Sequence, residues 1–158
     1  YPAEFETFTP ACQSGELSEC SQQEIINAYD NTILYTDFFL SKVIAFLQSN
    51  ANRYETSMFY VSDHGESLGE SGVYLHGMPY SFAPRAQTHV PVLAWIGETS
   101  DIDYGQSKLL KDAPNTHDAV FDTLLEVFEL TSDLLPSAEA KLLMLKAEED
   151  EETANVSR

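Results

Sequence analysis

Apolar and polar positions in this chain fall into two kinds of run. The first is helical: Ile25, Ile26, Tyr29, Ile33, Leu40, Val43, Ile44 and Leu47 recur every three or four positions, which predicts one long helix from about Gln22 to Gln48 lying on a sheet. Ser21, followed three positions later by Glu24, is the capping box that starts it. The second kind is short and continuous. Ser57-Met58-Phe59-Tyr60-Val61 reads as a buried strand, and His89 to Ile96 as another, with Pro91 near its start where a missing ladder donor is tolerated. Pro114 to Asp118 opens a further helix, with Asn115 as N-cap, Asp118 in the first turn, and Val120, Phe121, Leu124, Leu125 and Phe128 on the inner face. Leu142, Leu143 and Leu145 suggest a short last helix. Strand, crossover and helix alternate, so the fold class is α/β with helices on the sheet faces.

The chemistry gathers where the first strand stops. Asp63 and His64 follow it at once, and Gly65, Gly69, Gly72 and Gly77 keep the next stretch irregular. Polar groups at the carboxyl end of a buried parallel strand lie where open α/β sheets place their ligand crevice. A carboxylate oxygen and an imidazole nitrogen both suit a zinc-like ion, and adjacent residues leaving a strand converge on one ion. His76 lies twelve positions on, in a loop long enough to fold back over the same crevice, and Glu66 and Glu70 add nearby carboxylates. The plainer alternative is that Asp63 caps the turn and the histidines are ordinary loop residues.

Two other arrangements compete for the same residues. Gly65-Glu66-Ser67-Leu68-Gly69 spells G-x-S-x-G after a strand, and Asp101 or Asp112 followed by His117 supplies the order serine, acid, histidine of an esterase. That reading needs a helix directly after Ser67, for which Gly69, Ser71 and Gly72 are a poor start. His89 is either a group behind the crevice or a structural histidine, and His117 is most economically a helix-start residue. Asp30 and Asn31, inside the long helix, are read as solvent-facing or hydrogen-bonding residues and are assigned no chemistry.

Composition narrows the class. The formal net charge is -18, from 26 acidic and 8 basic residues. That argues against a nucleic-acid partner, which needs clustered Lys and Arg, and against tight adhesion to anionic lipid. Part of the excess is the run Glu148 to Glu152. The first residue is Tyr1, with no signal-peptide pattern, which suggests a piece of a longer protein or a processed product. No apolar stretch reaches the roughly 18 residues of a spanning helix, since Asp37 and Lys42 interrupt Ile33 to Leu47. Cys12 and Cys20 are the only cysteines. Their spacing is compatible with a small closed loop and equally with two reduced thiols.

Ser62-Asp63-His64-Gly65-Glu66-Ser67-Leu68-Gly69-Glu70, Tyr74-Leu75-His76-Gly77 and Thr88-His89-Val90-Pro91 resemble the phosphoethanolamine transferases of the bacterial envelope, the lipid A-modifying and mobile colistin-resistance enzymes. The resemblance runs from Tyr1 to about Leu130. It implies an alkaline phosphatase/sulfatase-like hydrolase fold, helices on both faces of a mostly parallel sheet. Residues 1–130 would be the carboxyl-terminal part of the periplasmic catalytic domain, and 131–158 an acidic, partly disordered tail. It also implies a disulfide between Cys12 and Cys20, in an oxidising compartment.

The same resemblance implies that Asp63 and His64 are zinc ligands, and that His76 faces the substrate phosphate or a second zinc. Phosphoethanolamine would pass from phosphatidylethanolamine, through a threonine, to a lipid A phosphate at the periplasmic face of the inner membrane. A missing amino-terminal part would supply the membrane anchor. The nucleophilic threonine and further ligands lie upstream of the position Tyr1 matches, so this chain alone is expected to bind zinc weakly and turn nothing over. A disulfide-stabilised periplasmic module that binds a metal or a partner without turnover is the non-enzymatic alternative. In a bacterial protein the Asn155-Val156-Ser157 triplet is a glycosylation sequon by spelling only.

Overall fold

The computed structural model describes residues 1–130 and 141–147. They divide into two compact units, Tyr1–Arg53 with Ser57–Trp95, and Tyr54–Thr56 with the described residues from Ile96 onward.

The first unit is built on helix α1, Gln22–Asn50. Its start is the expected capping box: Ser21 Oγ accepts from the Glu24 N–H, and the Glu24 carboxylate accepts from the Ser21 N–H at 2.7 Å. The Ser21 backbone bond, and then its hydroxyl, hold the Glu24 carboxyl below the usual glutamate range. The helix runs two residues past the expected end. Its buried positions are Ile25, Asn27 and Asn31, while Ile33, Phe39 and Phe46 are exposed, so the apolar stripe is only partly covered among the described residues.

Asn31 is the least exposed of these and ties the amino-terminal loop to the helix. Its Oδ1 accepts from the N–H groups of Thr7 and Phe8, both at 2.9 Å, and its Nδ2 donates to the Phe8 carbonyl and the Tyr1 hydroxyl. Asn27 donates to the Pro10 carbonyl at 2.8 Å, and the Phe5 ring packs between Tyr35 and Phe38. Cys12 and Cys20 form a disulfide, which resolves the cysteine alternatives in favour of the closed loop. Changing Asn31 to alanine strands two backbone N–H groups at once. At about 1–3 kcal/mol for each unsatisfied buried group, and toward the low end because Thr7 and Phe8 are themselves exposed, the expected loss is about 2–4 kcal/mol, read from urea unfolding.

Strands β1 (Ser57–Val61) and β4 (Val92–Ile96) pair with each other. The Ser62 N–H donates to the Pro91 carbonyl, and the Gly97 N–H to the Thr56 carbonyl. The end of each strand therefore meets the start of the other, and this pair is antiparallel. The parallel neighbour expected for β1 is not among the described strands. Nor is the pair fully buried: β1 is half-buried throughout, and Val92 and Leu93 of β4 are exposed. Pro91 sits just before β4, as expected. Between the two strands lie a small antiparallel hairpin, β2 (Ser67–Leu68) with β3 (Tyr74–Leu75), and the one-turn helix α2 (Arg85–Thr88).

The second unit holds helices α3 (Tyr104–Leu109), capped by Asp103, and α4 (Asp118–Val127). Two expectations for α4 are corrected. Thr116, not Asn115, serves its start: the Thr116 hydroxyl accepts from the Asp118 N–H and donates to the Asp118 carboxylate, while the Asn115 amide turns back to the Ala113 carbonyl. The buried positions are Ala119 and Thr123, whereas Phe121, Leu124 and Phe128 are exposed. The stretch 141–147 is not a helix either. Its backbone is taken up by long-range bonds instead: the Leu142 N–H to the Thr123 hydroxyl, the Asp103 N–H to the Met144 carbonyl, and Leu145 bridged to Ile102. The acidic run Glu148 to Glu152 and the Asn155 triplet lie outside the described residues.

Candidate metal centre

β1 delivers Ser62 to its end, and the chain then turns sharply on polar groups. The Asp63 Oδ1 accepts from the His64 N–H at 3.0 Å, and the Ser62 hydroxyl donates to the His64 carbonyl at 2.8 Å. Asp63 thus caps the turn, yet its side chain is 89% exposed and its second oxygen, Oδ2, lies 3.8 Å from His64 Nε2. Metal–ligand distances of about 2 Å on each side make that gap short enough for both atoms to hold one ion. The turn cap and the ligand pair, alternatives in the sequence, are thus geometrically compatible.

Acceptor chemistry assigns the tautomer of His64. Nδ1 lies 3.0 Å from the Gly65 carbonyl oxygen, which has no proton to give, so Nδ1 carries the hydrogen and Nε2 keeps its lone pair. His76 is held in the same way: its Nδ1 lies 2.9 Å from Glu66 Oε2, which leaves its Nε2 for a ligand or a phosphate. A carboxylate behind an imidazole is the usual orienting partner of a metal-site histidine. The rings of His64 and His76 stack with centroids 3.8 Å apart.

Glu66 is the residue that the sequence reading named only as a nearby carboxylate. One ligand atom each from His64, Glu66 and His76 lie within 4.8 Å of one another. The Glu66 side chain is 18% exposed, and its Oε1 is buried with no hydrogen-bond partner among the described residues. A buried carboxylate oxygen without a donor is costly unless a cation or a donor-bearing ligand meets it. Two nitrogens and this oxygen make a donor set that fits a zinc-class ion, while Asp63 stands beside His64 and outside that group of three. A sequence signal was present: residues two apart on an extended segment share a face, and Glu66 stands two after His64. Tyr29 of α1 senses this charge, since burial first, and then Glu66, push its phenol up.

The remaining candidates sit elsewhere. Glu70 accepts from the Leu68 N–H at 2.8 Å and so serves the hairpin turn. His89 follows α2 at the surface and pairs with Arg85 at 3.4 Å, a structural role. His117 stands at the start of α4, as expected. The esterase reading fails at Ser67: it is 1% exposed, its hydroxyl accepts from the Gln87 amide at 2.9 Å, and it begins a two-residue strand rather than a helix. A buried, bonded serine on a hairpin is not a strand-to-helix nucleophile.

Two features of the backbone shape the loop. A Cβ on Gly65 would overlap the Ala86 carbonyl oxygen of α2, so the loop lies against that helix at a distance only glycine allows. His76 stands between two residues in the left-handed region, Leu75 at φ 65° and Gly77 at φ 94°. For leucine that conformation costs roughly 1 kcal/mol or more. An exposed leucine held there, directly before the histidine, is strain at the point that aims the ring.

Comparison with known proteins gives the family of the chain. The family model described as "Sulfatase" matches residues 1–130. Phosphatidylethanolamine transferase Mcr-1 of Escherichia coli is 50% identical over 133 residues, which cover 84% of this chain and 24% of that protein. The chain therefore spans about a quarter of the length of this relative. The crystal structure of the C-terminal periplasmic domain of phosphoethanolamine transferase EptC from Campylobacter jejuni superposes with a TM-score of 0.78 at 47% identity, over 84% of this chain and 42% of that one. The integral membrane protein lipooligosaccharide phosphoethanolamine transferase A from Neisseria meningitidis gives 0.75 at 41% identity, over 80% of this chain and 24% of that one. With its alkaline phosphatase/sulfatase-like fold, the chain belongs to the sulfatase family, and phosphoethanolamine transferases are its close relatives there.

Proposed function

We propose that this chain forms one wall of the active site of a zinc-dependent transferase, which moves phosphoethanolamine from phosphatidylethanolamine to a lipid A phosphate at the periplasmic face of the inner membrane. The observation that carries the reading is the position of His64, which lies beside the Asp63 carboxylate on one side and against the His76–Glu66 pair on the other. Asp63 and His64 would hold the zinc. Bound there, zinc would lower the pKa of a hydroxyl nucleophile and offset charge on the transferring phosphoryl group.

The work left to this chain is positioning. His76, with Nδ1 committed to Glu66, would donate from Nε2 to a phosphate oxygen when the ring carries both protons, and Glu66 keeps that ring fixed. A threonine nucleophile, and the ligands that complete a four-coordinate shell, would come from sequence preceding the part matched here. Among the described residues no helix is long and apolar enough to cross a membrane. The membrane anchor in this reading is a part of the protein corresponding to sequence of the integral membrane neighbour that this chain does not cover. The disulfide suits an oxidising compartment such as the periplasm.

Metal removal tests this reading. In the complete protein, supplied with phosphatidylethanolamine and lipid A, stripping with a strong zinc chelator is expected to abolish transfer, and added zinc to restore it. Full transfer after stripping would overturn the zinc mechanism. Stoichiometric zinc binding with no transfer to any acceptor would leave the protein a binding module.

A further inference from the structure

We propose that Gln87 is a positioning residue, which clamps the two segments carrying the histidines and thereby sets the spacing of His64, Glu66 and His76. It touches both segments at once. Its backbone carbonyl accepts from the Gly65 N–H at 3.0 Å, between His64 and Glu66. Its side-chain Nε2 donates to the Ser67 hydroxyl at 2.9 Å, directly after Glu66. Its Oε1 accepts from the Met78 N–H at 3.4 Å, two residues after His76.

Gln87 and Ser67 are both buried, so the bond between them is shielded from competing water. Gln87 is itself fixed, because its N–H bonds to the Pro84 carbonyl at the start of α2, and the Gly65 backbone packs on the neighbouring Ala86 carbonyl. The clamp also opposes a local tendency to relax. The chain around His76 passes through two left-handed residues, Leu75 and Gly77, and the hairpin partner Ser67↔Leu75 holds only the first side of that reversal. The Gln87 amide holds the other side, at Met78. A side chain that ligates nothing thus governs where His76 lies over His64.

The catalytic consequence rests on the transferase reading, whereas the clamp does not, and two measurements on the complete protein separate them. Gln87→Leu keeps the volume and the backbone bond to Gly65 but removes both side-chain bonds. Amide hydrogen exchange across Leu75 to Tyr80 is expected to accelerate about tenfold, the factor one lost hydrogen bond carries, while exchange in α1 stays unchanged. The kcat for phosphoethanolamine transfer is expected to fall between about tenfold and a hundredfold, as for a reacting group displaced by an ångström, with KM nearly unmoved and Tm lowered by a few degrees, because the buried Ser67 hydroxyl loses its partner. Adding Ser67→Ala to Gln87→Leu should cost nothing further, since both remove the same contact.

Unchanged exchange at Leu75 to Tyr80 overturns the clamp, whether or not the protein transfers phosphoethanolamine. Acceleration spread equally over α1 reduces Gln87 to a packing residue and overturns it too. A loosened loop with undiminished kcat overturns the positioning role. A parent protein with no transferase activity removes the reading above, and the exchange measurement still decides the clamp.

Discussion

Replacing His64 by alanine in the complete protein is expected to abolish phosphoethanolamine transfer while leaving the fold intact. Its ring is exposed enough to be removed without opening a core cavity, with 43% of the side chain accessible. It nevertheless lies close to every other member of the cluster: Asp63 Oδ2 at 3.8 Å, the His76 ring stacked at 3.8 Å between centroids, and the Glu66 ligand atom within 4.8 Å. Loss of a partner behind a ligand costs about 10- to 100-fold, so loss of the shared ligand should cost on the order of a thousandfold or more. Glu66→Gln provides the comparison: it should fall in the 10- to 100-fold range, because it weakens the hold on His76 Nδ1 and neutralises the buried carboxylate. Zinc content measured beside activity gives the order of effects. His64→Ala should lose both metal and turnover. A His64→Ala protein that retains both would remove the imidazole from the mechanism.

Gly65→Ala should be the most damaging substitution of a residue that carries no functional group. The added methyl would meet the backbone carbonyl oxygen of Ala86, and backbone cannot rotate aside as the end of a long side chain can. Overpacking of this kind costs typically about 1–3 kcal/mol, and the shift that relieves it parts the loop from α2. The Gly65 N–H bond to the Gln87 carbonyl would stretch or break, and His64 and Glu66, on either side, would move with it. Transfer is therefore expected to fall by about a hundredfold, as for an ångström of misplacement, together with a lowered midpoint in chemical unfolding. Gly15→Ala is the matched control. Nothing lies within 4 Å of a Cβ there, and the change should be silent in both assays.

The sequence was most informative where the physics is local. A serine with a glutamate three residues on specifies the start of α1 through reciprocal bonds within one turn, and that start appears at Gln22. The apolar run Ser57–Val61 formed its strand with the expected bounds. Where a distant partner competes, local pattern misled. The Leu142–Leu145 stretch has helical spacing, but its backbone groups are claimed by Thr123, Ile102 and Asp103. The stripe predicted for α4 ranked residues by hydropathy, yet Thr123 is buried because its hydroxyl is satisfied twice, by Ala119 and Leu142. For Asn31 the sequence left a solvent-facing and a hydrogen-bonding role open, and the four groups it meets across more than twenty residues lay beyond any window of periodicity.

At the site the division is similar. By itself the sequence determined that a carboxylate and an imidazole leave a strand together, because adjacency is covalent. It placed His76 on a loop able to return. Only the tertiary structure decided that Glu66 stands behind His76 with one oxygen unpartnered among the described residues, that Ser67 is buried rather than nucleophilic, and that a glutamine from α2 joins both segments. Those facts depend on which groups are removed from water and which donors meet them, and that depends on pairings between segments ten to twenty residues apart, which no local spacing encodes.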